Sequence, residues 1–154
     1  MGNLFYYETD IGKLGIAEEN EQITSIFFEV EDVPSGDYVL KETPILKEAN
    51  NQLQEYFKGQ RKEFSLPLAP VGTEFMLRVW EALRAIPYGE TRSYKEIATA
   101  VGNSKACRAV GMANNRNPIS IVTPCHRVIG SNGDLVGYAG GLDVKLYLLN
   151  LEKK

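Results

Sequence analysis

Few residues of the kinds that stabilise secreted domains or metal centres are present in this chain. Its 154 residues include two cysteines, Cys107 and Cys125, and a single histidine, His126. Two cysteines make no disulfide framework, and with one histidine they make a tetrahedral zinc site a poor expectation. No apolar run is long enough to span a bilayer and no secretion signal opens the chain. We therefore expect no metal, no cofactor, no membrane association and a reducing compartment, cytoplasmic or, in a eukaryote, nuclear.

Charge is low overall but unevenly distributed. The net charge of -3, with 44% hydrophobic and 24% charged residues, is ordinary for a globular protein. Residues 1–72 carry six basic against thirteen acidic side chains, a net of -7, whereas residues 73–130 carry eight against four, a net of +4. An anionic partner is therefore expected to bind the second part of the chain.

The beginning of the chain predicts a small sheet. Residues 4–19 alternate loosely and are broken at Gly12 and Gly15, and residues 23–30 are rich in β-branched and aromatic side chains. A turn is predicted at residues 34–37.

A helix then follows, with Thr43 as N-cap and Pro44 at its first position, and it ends at Gly59. Its apolar face is formed by residues spaced every four positions: Ile45, Ala49, Leu53 and Phe57. Two prolines, Pro67 and Pro70, favour a boundary between domains 1–70 and 71–154.

The second domain is predicted to be mostly helical. A helix capped by Thr73 has apolar residues at the same spacing up to Ile86, before the break at Pro87. A shorter helix begins with a capping box, in which Ser93 is the N-cap and Glu96 the N3 residue. A last helix has an apolar side formed by Val144, Leu148 and Leu151.

The capping-box helix, a glycine turn and a second helix over residues 105–114 have the layout of a helix-turn-helix. An ordinary αα-hairpin fits the same pattern. The second helix and the residues next to it carry three cations, which favour DNA binding over the plain hairpin: Lys105, Arg108 and Arg116.

Cys125 and His126 are the candidate reactive pair. Pro124 precedes them and apolar residues flank them on both sides, so the segment is expected to be buried. A cysteine beside a base in a dry setting suggests an activated thiol nucleophile. The alternative is a structural cysteine next to a histidine whose hydrogen bonds are satisfied, since free cysteine is among the most buried residue types.

Five segments together resemble the O6-alkylguanine-DNA alkyltransferases, in that family's order and spacing: VWEALRAIPYGETRSYKEIA, RAVGMANNRNP, PCHRVIG, GYAGG and LLNLE. The resemblance implies an α/β fold of two lobes. The N-terminal lobe would be a small β-sheet with a helix, ribonuclease H-like, and the C-terminal lobe a mostly helical, winged-helix-like unit with the helix-turn-helix. The implied activity is repair of duplex DNA containing O6-alkylguanine by a monomer, with O4-alkylthymine left open as a second substrate. The alkyl group would pass irreversibly to the protein.

The resemblance also implies catalytic roles. Cys125 would be the nucleophile, and in an extended segment His126 would point to the opposite face, so a water would link the two. Glu152 would hold the far nitrogen of the imidazole ring, unless it is a solvated carboxylate at a helix end. Asn117 would brace the turn that carries the active site, although its place before a proline also fits simple turn chemistry. Tyr94 would donate its phenol proton to guanine, unless it is a core aromatic.

DNA and substrate contacts follow from the same resemblance. Arg108 would enter the base stack and fill the space left by the extruded nucleotide, the alternatives being a phosphate contact or a solvated arginine. Three further residues are expected to contact DNA: Lys105, Arg116 and Ser93. The substrate pocket is expected to be lined by Tyr138, Ala139, Val128 and Trp80, with the carbonyl groups of Cys125 and Val128 as acceptors for the exocyclic amine. Asn114 stands where some relatives have an apolar residue and is not taken as catalytic.

Two rival functions remain open at this point. A module that binds alkylated DNA without repairing it would have tryptophan in place of Cys125. A cysteine hydrolase would need an oxyanion site and a direct thiol–imidazole pair, which adjacency of Cys125 and His126 disfavours.

Overall fold

A computed structural model describes residues 2–29, 37–133, 138 and 140–153. The chain divides into two compact units, Met1–Val71 and Gly72–Lys154. The turn predicted at residues 34–37 lies outside the described residues except for Asp37. Across the described ranges, no helix is both long enough and apolar enough to cross a membrane.

The first unit has a four-stranded sheet in the order β3-β2-β1-β4. Its strands are β1 Gly2–Thr9, β2 Gly12–Glu19, β3 Gln22–Phe28 and β4 Tyr38–Leu40. The first three pair antiparallel as a meander, and β4 lies parallel to β1. The predicted strands are therefore confirmed, whereas β4 is too short to give a clear alternating pattern.

Gly12 and Gly15 behave differently. Gly12 opens β2 with φ 104°, so the predicted break there is confirmed. Gly15 lies inside β2, opposite Tyr6 on one side and Phe27 on the other, and does not break the strand. A Cβ atom on Gly15 would clash with the Phe27 ring. Glycine is needed there for space, not for a turn.

The helix of the first unit, α1, spans Pro44–Phe57 with Thr43 as N-cap and Pro44 at the first position, as predicted. The Thr43 side chain makes no capping hydrogen bond within the described residues. The buried face comprises Leu46, Ala49, Gln52, Leu53, Tyr56 and Phe57. Ile45, expected on this face, is only partly buried because the face is centred one residue further along the helix.

In its described residues, the second unit contains four α-helices and one short pair of strands. The helices are α2 Glu74–Arg84, α3 Tyr94–Ala100, α4 Cys107–Asn115 and α5 Leu142–Glu152. Thr73 Oγ1 accepts a hydrogen bond from the Met76 amide, and the capping box of Ser93 and Glu96 is present, so both predicted helix starts are confirmed. A buried apolar cluster joins α2, α3 and α4, and Cys125 belongs to it.

A parallel pair of two-residue strands, β5 Arg92–Ser93 and β6 Val128–Ile129, was not predicted. β6 begins three residues after Cys125, and β5 leads directly into α3. The pair therefore fixes the start of α3, where Tyr94 lies, beside the segment that carries the cysteine.

Candidate active site

Cys125 begins a single turn of 3-10 helix, Cys125–Arg127, with Pro124 as its N-cap. The expectation of an extended segment is wrong, because the Arg127 amide donates to the Pro124 carbonyl at 3.0 Å and closes the turn. Consecutive side chains on such a helix still point about 120° apart. Cys125 and His126 therefore diverge, and all three residues of the turn are buried.

His126 and Arg127 both bind Glu152. The Nε2 atom of His126 lies 2.7 Å from Glu152 Oε2. The Arg127 guanidinium binds the same carboxylate in a bidentate manner, with Nε 2.8 Å from Oε1 and Nη2 3.0 Å from Oε2. The Gly89 amide adds a fourth hydrogen bond at 3.3 Å. Glu152 is 4% exposed, so the alternative of a solvated carboxylate at a helix end is wrong.

Arg127 gives this carboxylate a cationic partner. Glu152 lies in the last turn of α5, where the helix dipole disfavours a negative charge, and burial adds a desolvation penalty. A bidentate guanidinium offsets both effects. Arg127 is itself fixed by the Ile86 carbonyl at 2.7 Å and lies over the Tyr88 ring. Sequence reasoning missed Arg127, although it directly follows His126.

The imidazole of His126 is arranged to be a neutral base. Burial lowers the pKa of His126, and the hydrogen bond to Glu152 opposes that effect without reversing it. Because a carboxylate only accepts hydrogen bonds, Nε2 carries the ring proton and Nδ1 carries a lone pair. Nδ1 is buried and has no hydrogen-bond partner among the described residues, the Cys125 thiol included.

Asn117 spans the tight turn that precedes Cys125. Its Nδ2 donates to the Thr123 carbonyl at 2.8 Å, and its Oδ1 accepts from the Ile119 amide at 3.0 Å. Inside this turn Ile121 has φ 72°, a conformation that a β-branched residue rarely adopts. Asn117 therefore holds a turn whose strained residue, Ile121, lies four positions before the cysteine.

Tyr94 and Lys145 both interact electrostatically with Cys125. Burial raises the pKa of the Tyr94 phenol, and Cys125 raises it further, so the phenol stays a proton donor at neutral pH. The Lys145 side chain is fully buried, and its Nζ donates to the Val128 carbonyl at 2.6 Å. Burial lowers the pKa of Lys145, an effect that Cys125 opposes. Lys145 shares the buried face of α5 with Leu148 and Glu152.

The residues predicted to contact DNA lie on and beside α4. Arg108 is exposed in the first turn of the helix, Lys105 is exposed just before it, and Arg116 is exposed at its C-cap. None of the three forms an ion pair within the described residues. Ser93 lies at the start of α3, where its hydroxyl oxygen accepts a hydrogen bond from the Glu96 amide. The structure thus places three exposed cations on and beside the second helix of the helix-turn-helix.

The predicted pocket residues are only partly brought together. The Tyr138 ring is edge-on to the His126 ring, with the two centroids 6.5 Å apart. The Val128 carbonyl accepts a hydrogen bond from Lys145 Nζ. Trp80 is 1% exposed and donates its indole N–H to the Ala113 carbonyl, so it is a core residue and offers no surface to a base. Ala139 lies outside the described residues.

Comparison with known families divides the chain at the same region as its fold. Residues 74–154 match the DNA binding domain of 6-O-methylguanine DNA methyltransferase, and residues 5–70 match the ribonuclease-like domain of the same protein.

Two relatives and one solved structure extend this similarity over nearly the whole chain. The constitutive methylated-DNA–protein-cysteine methyltransferase of Bacillus subtilis is 54% identical, covering 95% of this chain and 92% of the relative. The methylated-DNA–protein-cysteine methyltransferase of Methanosarcina acetivorans is 51% identical, covering 95% of each chain. The crystal structure of Mycobacterium tuberculosis OGT in complex with DNA is 44% identical with a TM-score of 0.92, covering 98% of this chain and 92% of that one.

Proposed function

The chain belongs to the 6-O-methylguanine DNA methyltransferase family, and from this membership we propose how its own residues carry out repair. The protein binds DNA and transfers the alkyl group of O6-alkylguanine to a cysteine, which we assign as Cys125. The guanine is restored in place, and the protein keeps the alkyl group.

In the proposed reaction the thiolate form of Cys125 is the nucleophile, because the neutral thiol is a weak one. Its proton passes to Nδ1 of His126, the buried nitrogen that carries a lone pair. Since Nδ1 is not bonded to the thiol, we assign the transfer to a bridging water. Glu152 and Arg127 hold the ring so that this nitrogen stays available.

The transfer itself is a single displacement. A bond forms between Sγ and the alkyl carbon while the bond from that carbon to guanine O6 breaks, and the electron pair remains on the guanine. N1 of the guanine then takes up one proton, and His126 releases the proton that it received from the thiol, so that neutral guanine and neutral imidazole are restored. Tyr94 is assigned to donate a hydrogen bond to the ring as that charge develops, consistent with the raised pKa of its phenol. The thioether that results is a poor leaving group, so each molecule is expected to react once.

The base must leave the duplex before it can react, because Cys125 is buried and the O6 group lies inside the helix. We assign Arg108 to the space that the base vacates. Lys105, Arg116 and the start of α3 at Ser93 are assigned to the DNA backbone. O6-alkylguanine as the lesion, a monomeric state and an intracellular location are parts of this proposal.

One observation carries the mechanism: the only histidine of the chain follows Cys125 directly, is buried, and presents a neutral Nδ1 while Glu152 binds Nε2. A hydrolase would need a direct thiol–imidazole pair, and Nδ1 makes no bond to the thiol. A binding module without transfer has no use for a cysteine at position 125.

The two cysteines provide a matched test. Cys125→Ser should abolish methyl transfer from a duplex containing O6-methylguanine while leaving DNA binding largely intact, whereas Cys107→Ser should retain transfer. Restored guanine is measured by digestion and chromatography, and binding by a gel-shift titration. Transfer that persists in Cys125→Ser, or is lost only in Cys107→Ser, would show that the nucleophile is misassigned.

A further inference from the structure

Asn114 is a buried amide beside the nucleophile whose oxygen has no hydrogen-bond donor. The residue lies near the end of α4 and is 3% exposed. Its Nδ2 is 3.5 Å from the carbonyl oxygen of Cys125. Its Oδ1 is buried, and no donor reaches it from the described part of the chain.

The orientation of this amide follows from its neighbour. A carbonyl oxygen only accepts hydrogen bonds, so the amide atom that faces Cys125 must be the nitrogen. The other amide atom, Oδ1, is therefore an acceptor. It lies within a few ångströms of the Cys125 carbonyl because Oδ1 and Nδ2 are bonded to the same carbon of the Asn114 side chain. Buried acceptors without donors are rare in native proteins, and each needs an explanation.

Asn117, three positions along the chain, shows what a structural asparagine looks like in the same region. Its Nδ2 binds the Thr123 carbonyl and its Oδ1 binds the Ile119 amide, so both polar atoms are satisfied inside the protein. In the Asn114 amide, only the nitrogen, Nδ2, has such a partner. The described residues leave its oxygen as a buried acceptor, and a bound ligand is one source of the missing donor.

The alkylated base offers one N–H donor on its pairing edge. Alkylation of O6 removes the proton from N1, which becomes an acceptor, and leaves the exocyclic 2-amino group as the donor. O4-alkylthymine offers acceptors alone on the corresponding edge. An acceptor placed beside Cys125 therefore distinguishes the two bases, and a site with a buried group left unpaired rejects the base that lacks the donor.

We propose that Asn114 Oδ1 accepts a hydrogen bond from the 2-amino group of the flipped base, which makes Asn114 a specificity-determining residue for guanine. The Cys125 carbonyl has a second lone pair and stays available to the same amine. This assignment rests on the proposed function, since it requires an alkylguanine in the pocket. It also changes the expectation from sequence, in which Asn114 had no part in the site.

The test compares two free bases that differ only in the 2-amino group: O6-benzylguanine and 6-benzyloxypurine. The second-order rate of Cys125 benzylation is measured by intact mass for the wild type, Asn114→Leu and Asn114→Met. The wild type should react faster with O6-benzylguanine than with 6-benzyloxypurine. In both variants the ratio of the two rates should be about 10-fold smaller. Loss of the Asn114 bond to the Cys125 carbonyl affects both substrates and cancels in the ratio.

Two controls separate specificity from folding. Asn117→Ala should slow the reaction with both bases equally, because the Asn117 amide serves only the turn. Asn115→Leu, at the exposed position next to Asn114, should change neither rate. An unchanged preference in both Asn114 variants would overturn the assignment, as would a wild type that does not distinguish the two bases. A wild type that reacts with neither base would instead count against the proposed function.

Discussion

His126 Nε2 lies 2.7 Å from Glu152 Oε2, and both side chains are buried. The two residues are 26 positions apart in the chain and meet because α5 ends beside the 3-10 turn. This bond fixes the tautomer of the imidazole. The nitrogen left as acceptor is the one that can serve the cysteine.

Removing the charge of Glu152 is expected to weaken both stability and reactivity. Glu152→Gln keeps the shape of the side chain but leaves the buried Arg127 guanidinium without its counter-charge, at a cost of about 3–5 kcal/mol in the free energy of unfolding. The rate of alkyl transfer should fall by about 100-fold because the negative charge that orients the imidazole and stabilises its protonated form is lost. Urea unfolding and the rate with O6-benzylguanine measure the two effects. Glu81→Gln, an exposed carboxylate on α2, is the control, and near-normal values for Glu152→Gln would contradict the assigned role.

Stability is expected to depend on pH through His126. Burial holds the pKa of His126 below its ordinary value, so the unfolded chain binds a proton at a pH where the folded chain does not. The free energy of unfolding should therefore fall as the pH drops below about 6.5, by up to about 1.4 kcal/mol per pH unit. Since the chain has one histidine, His126→Gln should flatten the profile between about pH 5.5 and 7. An equally steep profile in the variant would mean that other groups cause the dependence.

Part of this architecture could be read from the sequence. The starts of α2 and α3 depend on side-chain caps within four residues, at Thr73 and Ser93, and α1 starts at Pro44; all three starts were predicted correctly. Gly15 was misread because its partner, Phe27, comes from a neighbouring strand.

The difference between local and long-range contacts also explains which site residues could be predicted. Cys125 and His126 stand out by residue type and position, and family resemblance supplied Glu152. Lys145 and Asn114 did not stand out, because their importance depends on which backbone carbonyl each one reaches after folding. Residues that act through long-range contacts leave no local pattern.

Arg108 should matter for duplex DNA and not for a free base. If it fills the space of the extruded nucleotide, Arg108→Ala should slow repair of duplex O6-methylguanine by at least about 10-fold and leave the reaction with O6-benzylguanine nearly unchanged. Arg116→Ala is the matched control, because it removes an exposed cation at the other end of α4 and should weaken binding without blocking extrusion. Equal losses on both substrates in Arg108→Ala would indicate a folding or pocket role instead.

DNA affinity should depend only moderately on salt. The three exposed cations on and beside α4 offer few phosphate contacts, and each neutralised phosphate contributes roughly -0.9 to the slope of log affinity against log salt. A slope of about -2 to -4 is expected for unmodified duplexes, with little preference among sequences. Fluorescence anisotropy across a salt series measures both properties. A much steeper slope, or strong preference for one unmodified sequence, would point to groove readout by many contacts.

The most direct test of the account is the stoichiometry of alkyl transfer to Cys125. The protein is mixed with excess duplex containing O6-methylguanine, its intact mass is followed to completion, and the modified peptide is sequenced by mass spectrometry. The account predicts the addition of one methyl group per molecule, located on Cys125, with repair stopping at one equivalent of guanine. Repair that continues well beyond one equivalent, or a methyl group located on any other residue, would contradict it.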